Sequence, residues 1–213
     1  MITLQPWLFT AILAYLWGSV PYGYLIAKFH GIDIRTVGSR NIGMTNVYRC
    51  VGKTAGIATF LCDLLKGLLG TQLIPRLVCH LSDAGEPTLG LMLLGGAATV
   101  AGHNWTCFLG FKGGKGIASS LGLLVGLAPG VALGAIGVFA LVFALFRYIS
   151  LASISAAATV IAYSLFAGGP LWFRAVLISM GIVAILKHHA NIGRLLRHEE
   201  PRFSFARKEE HPQ

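Results

Sequence analysis

The chain is short of charge. Only 12% of its 213 residues are Asp, Glu, Lys or Arg, and just 8 are acidic. Soluble domains carry about twice that charged fraction. With 55% hydrophobic residues and a mean hydropathy of +0.71, this shortage indicates an integral membrane protein with no room for a separate soluble domain. Nucleic acid is a poor partner, since no polar domain exists to hold it. The four cysteines (Cys50, Cys62, Cys79, Cys107) show no Cys-x-x-Cys spacing. Three lie in or beside apolar runs, which reads as buried thiols rather than a disulfide frame or a zinc site. Neither a metal nor a cofactor is expected. No basic stretch precedes the first apolar run, so that run reads as a kept span and not a cleaved signal. Walker A loops are missing too. Leu109 and Gly116 occupy positions where that pattern needs Gly and Ser or Thr, and Val47 spoils the similar Gly52-Lys53-Thr54. A His and Asp five apart, used by some acyltransferases, fails because Phe108 follows His103 at that distance.

Apolar residues, by contrast, come in long stretches, at about 6–28, 54–79, 88–110, 117–146, 149–167 and 171–187. About 20 residues cross the roughly 30 Å hydrocarbon core. The stretch 117–146 is too long for one pass and carries Pro129-Gly130 near its middle, so it reads as a kinked helix or two short ones. Charge decides between these. Seven spans put Arg35, Arg40, Arg49, Lys53, Lys112, Lys115, Arg147 and the basic tail on one side, leaving Arg76 and Arg174 on the other. The positive-inside rule then predicts an all-α, polytopic bundle of seven transmembrane helices, N-terminus outside and C-terminus cytoplasmic. Residues 1–198 form one transmembrane domain in this reading, and 199–213 a short polar cytoplasmic tail. Glycines 122, 126, 130 and 134 have small-xxx-small spacing, which predicts close helix packing. Asp63 and Lys66 share a face of the second span, as functional groups or as a pair that steadies the bundle.

Three polar motifs fall on the basic side. In Phe111-Lys112-Gly113-Gly114-Lys115-Gly116, glycines let backbone N–H groups approach an anion, and the lysines and the following helix N-terminus favour negative charge. The loop from Gly38 to Arg49 offers Ser39, Asn41, Thr45, Asn46 and Arg49, donors suited to a phosphate and to hydroxyls. The segment from Lys187 repeats His188, Asn191 and Arg194 every three residues, one polar helix edge. His103, without a carboxylate nearby in sequence, reads as structural.

The three motifs in this order resemble the bacterial acyl-phosphate-dependent glycerol-3-phosphate acyltransferases over nearly the whole chain. Ser39 through Arg49 is similar to that family's Ser-Gly-Asn-x-Gly-Ala-Thr-Asn-x-x-Arg, with Arg40 for the Gly and Met44 for the Ala. Gly102-His103 followed by Phe111 through Gly116 matches its second motif. His188 through Leu195 is similar to the third, whose usual Gly is His198 here, ahead of Glu199 and Glu200. The resemblance implies a membrane enzyme of phospholipid synthesis, in the bacterial inner membrane with its site facing the cytoplasm. It would move an acyl group from acyl phosphate to the 1-hydroxyl of glycerol 3-phosphate, releasing 1-acyl-glycerol 3-phosphate and phosphate. Its partners would be these two substrates and membrane lipid, with no obligate protein partner. Lys112, Gly113, Gly114, Lys115 and Gly116 are then expected to hold acyl phosphate. Ser39, Asn41, Thr45, Asn46, Arg49 and His188 are expected to hold glycerol 3-phosphate, with Ser39, Lys115, His188 and Asn191 closest to the chemistry. His188 is the best general base among the side chains, unless a substrate phosphate oxygen takes the proton. A transporter or flippase for a phosphorylated solute or lipid is the rival. It calls for polar groups at the midplane and often for inverted repeats, and no internal repeat stands out.

Overall fold

The computed structural model describes residues 4–204. Among them there are helices and no strands: α1 (Leu4–Ser19), α2 (Tyr22–Phe29), α3 (Met44–Cys50), α4 (Lys53–Leu81), α5 (Leu89–Asn104), α6 (Ile117–Leu127), α7 (Pro129–Phe146), α8 (Ile149–Phe166), α9 (Leu171–Leu186) and α10 (His189–Leu196), with a 3-10 turn at Cys107–Leu109. Four segments are long and apolar enough to cross a bilayer: Gln5–Phe29, Lys53–Leu81, Pro129–Phe146 and Ile149–Phe166. The pair α9 and α10, bent by 54°, makes a fifth if it counts as one span. The expected break at 128 is present. Ala128 leaves helical geometry at φ −145°, ψ 63°, and Pro129 begins α7 where a missing N–H costs nothing.

Helix contacts follow small residues. A Cβ on Gly18 would fall 2.1 Å from the Thr99 carbonyl oxygen, and one on Gly102 would fall 2.2 Å from that of Tyr15, so α1 and α5 touch backbone to backbone. The same closeness joins α4 to α6 through Gly67 and Gly122. The glycine stripe is only half used. Gly122 and Gly126 pack against α4, whereas Gly130 and Gly134 have nothing within 4 Å, because the break at Ala128 turns α7 away toward α8.

Helix lengths show where the polar end lies. Twenty-nine residues of α4 rise about 44 Å, more than the hydrocarbon thickness, so its ends reach beyond it. The 11-residue α6 rises only about 16 Å. It is short because the Lys-Gly loop before it is sunk into the bundle: Ser119 meets α4 at Gly67, well along that helix. At Pro21 the first span breaks into α1 and α2. The carbonyls freed there are taken by side chains, Ser19 O by the Thr106 hydroxyl at 2.5 Å and Val20 O by Lys66 Nζ at 3.0 Å.

Candidate active site

The first polar loop is held by one amide. Asn46 is buried, and its Oδ1 accepts from Ser39 N at 2.9 Å. Its Nδ2 donates to the carbonyls of Ile34, Val37 and Asn41 at 3.0–3.2 Å. Buried Ile34, Ile42 and Val47 pack beneath. Asn41 Oδ1 in turn accepts from Gly43 N at 2.9 Å. These two amides shape the loop so that Ser39, Thr45 and Arg49 face one cavity of about 160 Å³.

A further part of the cavity lining comes from α10 and the residues after it. His188 Nδ1 donates to Ala184 O at 2.7 Å, which leaves Nε2 as an acceptor. Asn191 and Arg194 share the helix edge expected from their spacing, and both reach Glu200. Its Oε1 accepts from Ser150 Oγ at 2.6 Å and Asn191 Nδ2 at 2.7 Å, and its Oε2 from Arg194 Nε at 2.7 Å. Lys115 Nζ donates to Asn191 Oδ1. Beyond Glu200, Phe203 is buried against Tyr48 and Phe143, its N–H donates to Arg147 O at 2.7 Å, and Arg49 Nη2 donates to Pro201 O at 3.2 Å. Residues 199–204 are thus folded back over the site, and the rest of the expected tail lies outside the described residues.

Protonation states are set by crowding of positive charge in little water. Burial, with the nearby charges of Arg194 and Arg49, lowers the Lys115 pKa to about 8 although Glu200 opposes the shift. Burial first, then the Lys115 charge, pushes His188 down to about 4, so it is neutral at physiological pH. Burial against hydrogen bonding decides Glu200 the other way: three donors outweigh desolvation and hold its carboxyl below the usual range. The result is an ionised glutamate, a neutral histidine acceptor, two guanidinium groups and a readily deprotonated lysine around one space.

Ser39, Asn41, Thr45, Asn46, Arg49, Lys115, Gly116, His188 and Asn191 all border this cavity, as their motifs suggested; Lys112, Gly113 and Gly114 do not. Lys112 is exposed. Gly114 spends its N–H on His103 O at 2.9 Å, and a Cβ there would lie 2.1 Å from His103 Nε2. A Cβ on Gly113 would meet His103 O at the same distance. The two glycines fit the loop against the end of α5. Three groups escaped the sequence reading. Glu200 could not be told from Glu199, which is exposed and paired with Arg197 at 2.8 Å. Ser150 gave only a weak sign, a hydroxyl opening α8. His103 does have a carboxylate beside it, Asp63, whose Oδ1 lies 3.4 Å from Nδ1.

A helical bundle embedded in a membrane, with a cationic, acceptor-equipped cavity flanked by the apolar Phe60, Ile117, Phe139 and Ile149, has the form of an enzyme acting on a phosphorylated substrate with an apolar part. Known proteins make this specific. The family model described as glycerol-3-phosphate acyltransferase matches residues 8–198. A glycerol-3-phosphate acyltransferase of Desulforudis audaxviator is 50% identical over 91% of this chain and 93% of its own, and one of Aquifex aeolicus is 41% identical over 92% and 98%. The crystal structure of PlsY (YgiH), an integral membrane glycerol 3-phosphate acyltransferase, in its glycerol 3-phosphate form, is similar with a TM-score of 0.81 at 41% identity, covering 93% of this chain and 96% of that one. Its lysophosphatidic acid form gives 0.78 at 40% identity, covering 93% and 95%. The chain belongs to the glycerol-3-phosphate acyltransferase family.

Proposed function

We propose that this protein moves a fatty acyl group from acyl phosphate to the 1-hydroxyl of glycerol 3-phosphate, giving lysophosphatidate and inorganic phosphate, the first acylation of phospholipid synthesis. The observation that carries the reading is a single cavity lined by three cationic side chains, Arg49, Lys115 and Arg194, around a neutral His188. Two phosphate-bearing substrates need more than one such cation. Arg49, Ser39 and Thr45 hold the glycerol 3-phosphate phosphate, and Lys115 with the Gly116 end of the loop meets the donor phosphate. Lys112, Gly113 and Gly114 support that loop from behind.

The hydroxyl oxygen attacks the acyl carbonyl carbon and forms the ester bond. The carbonyl carbon–oxygen bond to phosphate breaks, and its electron pair leaves with phosphate. The hydroxyl proton goes to His188 Nε2 or to a phosphate oxygen. Acyl phosphate is already activated, so no covalent enzyme intermediate is required, and positioning and charge neutralisation supply the rate. Seven spans, an outside N-terminus and a cytoplasmic C-terminus complete the proposal and put the site on the cytoplasmic face of the bacterial inner membrane. The transmembrane domain of residues 1–198 and the polar tail of 199–213 belong to the same reading.

The test supplies purified protein with acyl phosphate and glycerol 3-phosphate and follows lysophosphatidate and phosphate. Equimolar release of both is expected. Equal turnover with acyl-coenzyme A, when acyl phosphate cannot form, would overturn the donor assignment.

A further inference from the structure

Three ionisable side chains lie inside the bundle beside the Lys-Gly loop, two of them, Asp63 and His103, at the wall of the cavity, and the chemistry proposed above uses none of them. Asp63, Lys66 and His103 are each no more than 5% exposed. Asp63 Oδ1 is 2.9 Å from Lys66 Nζ and 3.4 Å from His103 Nδ1, close approaches that lack hydrogen-bond alignment at this oxygen. Such a group is a poor device for stability alone, because a buried ion pair often does no better than well-packed apolar residues. Nor do α4 and α5 need it as glue. Gly70 and Gly95 already bring these two helices into backbone contact.

The placement points elsewhere. Lys66 is anchored at the Pro21 break through Val20 O, with its ammonium 5.4 Å from the Tyr22 ring. Asp63 stands between this anchor and the His103 ring. On its far side the ring packs against Gly114, where a Cβ would lie 2.1 Å from Nε2, while His103 and Asp63 also reach the wall of the cavity. The His103 carbonyl takes the Gly114 N–H, and Lys115 follows in the chain. One line of contacts therefore runs from the helix break through Lys66, Asp63 and His103 to the loop that presents Lys115.

We infer that Asp63 is a positioning residue: by fixing His103 it sets the Lys-Gly loop and places the Lys115 ammonium for the departing phosphate. This rests on the role proposed for Lys115. A misplacement of about 1 Å at a reacting centre can cost around a hundredfold in rate, so a loop of glycines needs such a brace.

The test is Asp63→Asn in the full-length protein, read by two methods. Hydrogen exchange followed by mass spectrometry reports the Gly114 amide. It should exchange at least about tenfold faster in peptides spanning 111–116, while peptides from α7 to α9 keep wild-type rates. Steady-state kinetics should show kcat down by about ten- to hundredfold, with the KM for glycerol 3-phosphate within about twofold of wild type. Because Asn leaves Lys66 as an uncompensated buried charge, His103→Gln is made in parallel and keeps the Asp63–Lys66 pair. Loop exchange unchanged in both variants would overturn the inference. So would exchange raised equally throughout the bundle, or failure of both variants to fold, since either marks a purely structural group. The exchange result does not depend on turnover. A wild-type enzyme inactive with acyl phosphate would instead sink the proposed reaction.

Discussion

Replacing Glu200 by Gln keeps the shape of the side chain and removes its charge. In the structure Oε1 already serves two donors, Ser150 and Asn191, and a Gln oxygen can keep both. The Gln NH2 would then face Arg194 Nε, a donor against a donor, where a 2.7 Å charge-assisted bond stood. Losing such a bond costs about 1.5–3 kcal/mol. Expressed as rate, that is roughly ten- to hundredfold. A second effect acts on Lys115, because the Glu200 charge raises its pKa. At pH 7 a lysine of pKa about 8 is about ten parts charged to one neutral. A further drop of about one unit would leave half of it charged, a loss of less than about twofold. The hydrogen-bond term therefore dominates at neutral pH, and the proton term appears as an earlier alkaline fall. Wild-type kcat/KM should decline as pH rises through about 8, as Lys115 loses its proton. In Glu200→Gln this limb should move to lower pH while kcat drops ten- to hundredfold and the KM for glycerol 3-phosphate does not rise, since the cavity becomes more positive. Initial rates from pH 6 to 9, with melting curves as the folding control, check it. A variant within twofold of wild type with its alkaline limb unmoved would refute the assignment of Glu200 as the brace of this wall.

Arg49→Lys keeps the charge but loses the planar fork, and should raise the KM for glycerol 3-phosphate about ten- to hundredfold with little change for the acyl donor; kinetics with each substrate varied in turn decide it. Gly114→Leu places its Cβ 2.1 Å from His103 Nε2, well inside ordinary contact at 3.4 Å, so the loop must shift and kcat should fall at least about tenfold; near-normal turnover would show that the loop yields without moving Lys115. His198 adopts a left-handed φ of 58°, and His198→Gly should stabilise the fold by about 1 kcal/mol, read as a rise in thermal midpoint with unchanged activity. Cysteine labelling should find Lys112 and the chain end on the same side of the membrane, and opposite labelling would remove the seven-span topology.

The spacing of motifs and the sidedness of charge made much of the site legible before any coordinates. Ser39, Arg49, Lys115, His188 and Asn191 lie far apart in the chain, and the sequence order of the three motifs is what marked them as one group that lines one cavity. Packing direction was hidden. Gly113 and Gly114 suit an anion nest and a tight backbone approach equally well, and the approach to His103 could not be read from their spacing. The choice between Glu199 and Glu200 turned on the left-handed residue His198, which swings the chain so that the second glutamate enters the site. Its position was visible in advance as the one where the family usually has Gly, a residue that adopts this φ without strain. The approach of Asp63 to His103 joins two helices that no local pattern relates.

The shortness of α6 has a meaning for traffic. Because the helix starts partway down the bundle, the loop before it brings an ammonium group to the level of oily side chains such as Phe60 and Ile117. On the proposed chemistry, a water-soluble glycerol phosphate descends to meet an acyl tail that never has to leave the oil. The protein then works as a phase-transfer catalyst, and its product is an amphiphile made already aligned with the leaflet it joins. Release needs no carrier through water: head and tail are each next to their own solvent when the bond is made.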